Sequence, residues 1–260
     1  MRIDIATLFP EMCETVLHTS VLGRGIKNGC IEIYTHNIRD YTLDKHNNVD
    51  DKPYGGGTGM VMQAQPIYDC VTAIKAFYSV APRVIYLSPQ GETLTQGKVR
   101  ELAAEKGLIL LCGHYEGVDN RVLEELNVEE ISVGDYVLTG GELPALIIAD
   151  AVARLQEGVL PNEDAYAIES HYAGLLEYPQ YSRPEIWRGR AVPPVLLTGD
   201  HKKIAEWQKK AALEVTRIKR RDMYEQYLLD HIEEIVLEEE KRRKKLQRRR
   251  KKEEKNDQGT

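Results

Sequence analysis

Between Ile131 and Pro144 the chain reads ISVGDYVLTGGELP, with Gly134, Gly140 and Gly141 set around Tyr136. A strand-like apolar approach ends at Ser132, and the helix-like ELPALIIADAVARL follows. Glycine has no Cβ, so its N–H and C=O groups can lie directly against a flat ligand. The same spacing also suits a pair of tight turns closing a core strand. Two other segments, Leu87-Ser88-Pro89-Gln90-Gly91 and Cys112-Gly113-His114-Tyr115-Glu116-Gly117, also end apolar runs in glycine and polar residues. One ligand touching all three segments is the economical reading. A phosphate-binding P-loop is not supplied, because Gly97-Lys98 is followed by Val99. A dinucleotide fingerprint fails as well: Gly23-Arg24-Gly25 is followed three residues on by Asn28 and comes after a helical stretch. The expected ligand is flat and held mainly by backbone groups, as an adenine ring would be.

The elements that must position these loops alternate. RIDIATLF, CIEIYTHNI, RVIYLSP, GLILLCGH and EEISVGDYVL read as strands, and PIYDCVTAIKAFYS, QGKVRELAAEK and ELPALIIADAVARL as helices. Such alternation predicts an α/β fold with a parallel sheet, whose ligands bind beyond the carboxyl ends of the strands. At 260 residues the chain holds one large domain or two modest ones. Its 42% hydrophobic content is ordinary for a globular protein, and no apolar run approaches the roughly 18 residues of a membrane span. The opening MRIDIATLFPEM lacks a signal-peptide layout, so a cytoplasmic protein is expected. Cys13, Cys30, Cys70 and Cys112 lie in apolar contexts without Cys-x-x-Cys, and read as reduced core residues with no metal site.

Charge is divided along the chain. Residues 1–182 carry 13 Lys and Arg against 26 Asp and Glu, whereas 183–221 carry 11 against 4. Residues 222–240 have 8 acids and no Lys or Arg, and 241–260 have 11 bases and 3 acids. An acidic body joined to a basic segment suits a polyanionic partner, and equally a solvated helix face. Helix His201–Val215 places Lys202, Lys203, Lys209 and Lys210 on neighbouring turns, with Ile204, Trp207, Ala211 and Val215 at core-facing spacing. The tail reads as a long helix turning from acidic to basic, either a solvated extension or a non-specific clamp on a polyanion.

Three motifs carry a resemblance: Ser88-Pro89-Gln90-Gly91, Gly113-His114-Tyr115-Glu116-Gly117-Val118-Asp119, and Gly134 through Pro144. With the opening IATLFPEM, Asp50-Asp51-Lys52-Pro53-Tyr54-Gly55-Gly56-Gly57-Thr58-Gly59-Met60 and Tyr181-Ser182-Arg183-Pro184-Glu185, the chain resembles the bacterial tRNA (guanine-37-N1)-methyltransferases of the SPOUT superfamily over roughly residues 1–230. The resemblance implies a deep trefoil knot in the α/β domain and a smaller all-helical C-terminal domain. It divides the chain into a knotted catalytic domain over 1–160, an interdomain linker over 161–182, a basic tRNA-binding domain over 183–240 and a charged tail over 241–260.

The resemblance further implies S-adenosylmethionine bound by Tyr86, Leu87, Ser88, Pro89, Gly113, Tyr115, Glu116, Ser132, Val133, Gly134, Tyr136, Val137, Leu138, Gly140, Gly141 and Pro144. The implied partners are a tRNA bearing G37 and a second copy of the chain sharing its active sites, with no membrane and no DNA. Methyl transfer to guanine N1 requires a base for the N1 proton and a cation or donor for charge developing on O6. Arg154 matches the family arginine near O6. The family places Asp-Ser-Phe before its Gly-Leu-Leu, but here the stretch reads Glu169-Ser170-His171-Tyr172-Ala173-Gly174-Leu175-Leu176. Glu169 therefore takes the base position, and His171 is the alternative base or simply a surface histidine. Asp50, Tyr54, Gly59, His171, Arg183, Lys202, Lys203, Lys209, Arg217 and Arg220 are the candidates for RNA contact. Mg²⁺ is raised by the resemblance alone. Two other readings stand beside this one: an RNA-binding protein that has lost catalysis, and a relative acting on rRNA, against which the Lys45–Met60 and Tyr181–Glu185 elements speak.

Overall fold

Five apolar strands form the centre of the fold, a wholly parallel sheet in the order β2-β1-β6-β5-β7. They are β1 (Arg2–Thr7), β2 (Glu32–Asn37), β5 (Arg83–Thr93), β6 (Gly107–Leu111) and β7 (Glu129–Ser132). The computed structural model describes residues 1–161, 169–234, 236 and 237. The chain divides into two compact units, Met1–Glu163 and Asp164–Thr260. The expected tail over 241–260, and residues 162–168 of the expected linker, lie outside the described residues.

Successive strand residues face opposite sides of the sheet, so each central strand feeds two cores. Ile3, Ile5, Ile85, Leu87, Leu108 and Leu110 pack on one side against helices α1 (Pro10–Leu17), α2 (Ser20–Lys27), α4 (Gln96–Ala103) and α6 (Glu142–Ala153). Ala6, Val84, Tyr86, Ile109 and Leu111 face the other side, against α3 (Ala64–Lys75) and α5 (Asn120–Glu125). All five residues of β6 are buried, which is why GLILL is unbroken by a polar residue. Cys13, Cys70 and Cys112 are buried and all four cysteines are free; Cys30 is half-buried.

Some elements depart from expectation. β5 does not end at Pro89: Leu87 and Glu92 both face Ile131 of β7, so residues 88–91 bulge out of the strand before pairing resumes. Proline lacks the N–H of a ladder residue and suits such a bulge. Conversely, the expected EEISVGDYVL strand stops at Ser132. Gly23-Arg24-Gly25 lies within α2, where an added Cβ at Gly25 would stand 3.1 Å from Val159. Within residues 45–62, β3 (Asp50–Asp51) pairs antiparallel with β4 (Val61–Met62) and leaves a glycine-rich tip between them.

The second unit is not all-helical. Ile186–Trp187 (β8) pairs antiparallel with Arg190–Ala191 (β9) through Arg188 and Gly189, whose φ values of 48° and 77° fit the two-residue turn that matches strand twist. Two helices follow, α7 (His201–Lys219) and α8 (Arg221–Asp230). The Asp200 carboxylate caps α7 by accepting from the Lys203 N–H at 3.2 Å. Ala212 and Thr216 are its most buried positions, with Ile204, Trp207, Ala211 and Val215 partly buried on the same stripe. Between α7 and α8, Arg220 leaves the helical conformation and Asp222 accepts two hydrogen bonds from its guanidinium.

Asp4, fully buried in β1, ties three elements together. It accepts from Arg2 at 2.8 Å, from His36 of β2 at 2.7 Å, and from the Tyr78 hydroxyl beyond α3. Burial alone would raise its pKa, but the bonds from Arg2, His36 and Tyr78 more than offset that and hold it below the usual carboxylate range. A carboxylate with a depressed folded pKa contributes stability that is complete above about pH 4 and is lost as pH falls below it. Asp4→Asn is expected to cost about 2 kcal/mol at pH 7. Urea unfolding at pH 7 and pH 3.5 should show the wild type losing more stability between the two than the variant does.

Candidate functional site

The carboxyl ends of the neighbouring strands β6, β5 and β7 open onto one cavity of about 410 Å³. Every residue that the resemblance assigned to the cofactor lines it, from Tyr86 to Pro144. Gln90, His114 and Thr139 of the same three segments line it too, as do Asn120, Leu123 and Glu130, which had not been singled out. The volume lies within the range of pockets that enclose a small organic ligand. Its walls combine bare backbone, the rings of Tyr86, Tyr115 and Tyr136, and the carboxylates of Glu116 and Glu130.

The loops owe their shapes to close backbone contacts. Gly141 donates its N–H to Gly113 O at 2.9 Å, joining the wall after β7 to the wall after β6. An added Cβ at Gly141 would sit 2.6 Å from Cys112 Cα, and one at Gly113 would sit 2.7 Å from the Tyr86 ring. Gly134, with φ of 143°, is held by Ser132 Oγ, which accepts its N–H at 3.2 Å and donates to its carbonyl at 3.1 Å. Tyr115 takes the left-handed conformation, φ 60°. On that wall Glu116 donates its N–H to Met60 O, and Met62 donates its N–H to Gly117 O, both at 2.9 Å. Burial, and secondarily the Glu130 carboxylate, push the Tyr86 phenol above its usual pKa, so it stays a neutral donor at physiological pH.

Beneath the glycines lies a polar cluster that composition could not suggest. Glu142, the first residue of α6, is buried. Its Oε1 accepts from the Thr7 hydroxyl at 2.6 Å and its Oε2 from His114 Nε2 at 2.8 Å. A carboxylate in the first turn also meets the positive end of the helix dipole.

The remaining candidates are placed elsewhere. Asp50 pairs with Met62 in the β3–β4 hairpin, Tyr54 stands almost wholly exposed at its tip, and Gly59 lies against the Glu116 side chain. Arg154 caps the far end of α6, ten residues beyond Pro144, about 15 Å along the helix axis from the cavity wall. Within one chain the structure therefore does not bring Arg154 to the cavity. Glu169 is partly buried in the second unit, in a folded-back segment. There His171 donates its N–H to Leu175 O, Glu177 donates to Ser170 Oγ, and Leu176 donates to the buried Thr216 hydroxyl. His171 is exposed in the left-handed region, φ 69°. Arg183, Lys202, Lys203, Lys209, Arg217 and Arg220 are all exposed. Lys203 pairs with Asp200, Arg217 with Glu214 and Arg220 with Asp222, while Arg183, Lys202 and Lys209 meet no carboxylate among the described residues. Among those residues no group of three or more His, Cys, Asp or Glu side chains is placed to hold a metal ion, so Mg²⁺ gains no support. Nor is any helix among them long and apolar enough to cross a membrane.

A family model described as tRNA (Guanine-1)-methyltransferase TrmD matches residues 1–226. A tRNA (guanine-N(1)-)-methyltransferase of Ruminiclostridium cellulolyticum is 53% identical over 224 residues, 86% of this chain and 96% of that protein. Proteins of the same name from Lachnospira eligens and Alkaliphilus oremlandii are 50% and 49% identical over 234 and 243 residues. These alignments cover 90% and 92% of this chain, and 99% and 98% of those relatives.

The contact between Gly141 and Cys112 is backbone against backbone, so neither side can yield by turning a rotamer. Gly141→Ala is expected to cost about 2 kcal/mol and to break the Gly141–Gly113 hydrogen bond. Thermal unfolding, with amide exchange read at residue 141, checks both; unchanged protection would show that the walls tolerate a methyl group between them.

Proposed function

The chain belongs to the tRNA (guanine-1)-methyltransferase family, and we propose that it transfers the methyl of S-adenosylmethionine to N1 of guanine 37 in the tRNA anticodon loop. The observation that carries this reading is the meeting of three glycine-bearing loops around one cavity. The cavity suits the donor: bare backbone and tyrosine rings for a flat adenine, and Glu116 and Glu130 for hydroxyl and ammonium groups. When bound, the sulfonium supplies an electrophilic methyl group. The chain's own contribution is to the acceptor.

Guanine N1 carries a proton at neutral pH, and Glu169 accepts it as the new bond forms. Arg154 donates to O6 and offsets the charge that develops there. Glutamate reaches one methylene further than the family aspartate, which the folded-back segment around Glu169 must accommodate. Exposed Lys202 and Lys209, with Arg183, Arg217 and Arg220, would hold RNA phosphates. The hairpin tip around Tyr54 and Gly59, set against Glu116, would close over the extruded base. A trefoil knot belongs to the same proposal. Its support is the close approach of chain segments at this end of the sheet, Gly91 against the backbone of Glu130 and Ile131, and Gly141 against that of Cys112.

The distance of Arg154 from the cavity favours a homodimer. Phe9, Met12 and Val16 on and beside α1 are exposed, as are Leu143 and Ile147 on α6, and the two helices pack together. Leu143, Ile147 and Arg154 are spaced to share one face of α6. Across a two-fold axis, antiparallel pairing of this face would carry Arg154 of one copy to the glycine end of α6 in the other. An apolar face of this kind is the mark of an association surface.

Labelled S-adenosylmethionine and tRNA transcripts bearing G36-G37 test the proposal. Transfer should require G37 and vanish on a G37→A transcript, and Glu169→Gln should lower kcat by about a hundredfold or more. Transfer to the G37→A transcript would contradict the substrate assignment. Full activity in Glu169→Gln would move the proton to another base, His171 first. Ile147→Glu should give monomers that retain donor binding and lose transfer, read by sedimentation and the same assay.

A further inference from the structure

Burying a carboxylate costs several kcal/mol unless its oxygens are well bonded, and an apolar residue at the start of α6 would avoid that cost. Glu142 is buried nonetheless, and both of its oxygens are bonded. Its partners come from two other elements. Thr7 ends β1 and is itself fully buried, and its Oγ also accepts the Phe9 N–H at 2.9 Å. His114 follows β6 between Gly113 and Tyr115, both of which line the cavity. The His114 ring lies 4.8 Å from that of Phe9, which limits the directions in which it can turn. The contact of Nε2 with Glu142 Oε2 at 2.8 Å fixes the orientation of the ring.

The cluster dictates a residue of the cavity wall. A Cβ at Gly140 would stand 2.3 Å from His114 Nε2 and 2.6 Å from Glu142 Oε2. That side of Gly140 is therefore filled by the histidine–carboxylate bond, and the glycine is required by the cluster as well as by whatever lies in the cavity. The bond runs beside the Gly141–Gly113 backbone contact and gives the two walls a second tie, made by side chains.

We propose that Thr7, Glu142 and His114 are positioning residues for the methyl donor, a bracket of two buried side chains and the partly buried His114 at the cavity wall, which sets the spacing between the wall of residues 113–117 and that of residues 134–141. The inference rests on the reading of the cavity as the S-adenosylmethionine site. The bracket acts through wall spacing: with it loosened, the backbone groups facing the adenine and ribose no longer hold their register, and donor affinity falls. Guanine, by contrast, is recognised by other residues, so the effect is specific to one substrate.

The test compares wild type, His114→Ala, His114→Gln and Thr7→Val as full chains, at a temperature where each is shown folded by its thermal unfolding curve. Calorimetric titration with S-adenosylhomocysteine gives the affinity of the cavity, and methyl transfer gives separate KM values for donor and tRNA. His114→Ala should weaken S-adenosylhomocysteine binding and raise the donor KM by roughly tenfold or more, the loss expected for one hydrogen bond to a charged group. The tRNA KM should stay within about twofold. A glutamine amide can place its nitrogen where Nε2 stands and donate to Glu142, so His114→Gln should recover most of the loss. Thr7→Val keeps the volume and removes the hydroxyl, and should weaken binding in the same direction by a smaller factor. Should His114→Ala not fold, the comparison of His114→Gln and Thr7→Val with wild type decides. Unchanged donor binding in Thr7→Val and His114→Ala overturns the inference alone. So does an equal rise in both KM values, or failure of glutamine to recover what alanine loses. If wild type itself does not bind S-adenosylhomocysteine, the cofactor reading falls, and this inference falls with it.

Discussion

Backbone approaches backbone, at the carboxyl end of the sheet, more closely than side chains allow. At Gly91 and Gly141 an added Cβ would lie 2.4 and 2.6 Å from main-chain atoms of another segment. No rotamer change relieves such a contact, so glycine is required there by space. The bulge of β5, the tight turn after β7 and the entry into α6 all follow from fitting three loops into this volume. The parallel sheet makes the arrangement workable, because strands buried on both faces give the loops rigid ends to hang from.

Helix α6 links the site to the rest of the molecule. Its first residues close the cavity and carry the buried Glu142. Leu143 and, one turn further on, Ile147 face outward as apolar side chains, and its last turn leads to Arg154. A single helix thus bears a cavity wall, an apolar outer face and the arginine proposed to act on guanine. The proposed sharing of sites between copies would bring the two ends of this helix, from different chains, to one site.

The strands were legible because buried parallel strands are apolar almost without interruption, as GLILL and RVIYL are. The three loops were legible because glycines cluster where those runs end. Helix α2 was hidden by Gly23 and Gly25, poor helix formers whose reason is the nearness of other chain segments, His18 backbone and Val159, which local sequence does not reveal. The β8–β9 hairpin was hidden because two-residue strands leave no alternation to read, and its only signal was Arg188-Gly189. The Thr7–Glu142–His114 cluster was the least legible part of the site. Glutamate and histidine normally read as surface residues, and Thr7 lies 135 positions from its partner. The deviation from Asp-Ser-Phe to Glu169-Ser170-His171 was plain in the sequence, whereas Arg154's distance from the cavity emerged only from the length of α6.

Amide hydrogen exchange with and without S-adenosylhomocysteine reads whether the backbone of these three loops forms the cofactor site. Slowed exchange confined to residues 86–91, 113–117 and 133–141, appearing together as the ligand is added, is the predicted result. Protection centred elsewhere, or at one loop without the other two, would show that the three loops do not form one ligand site.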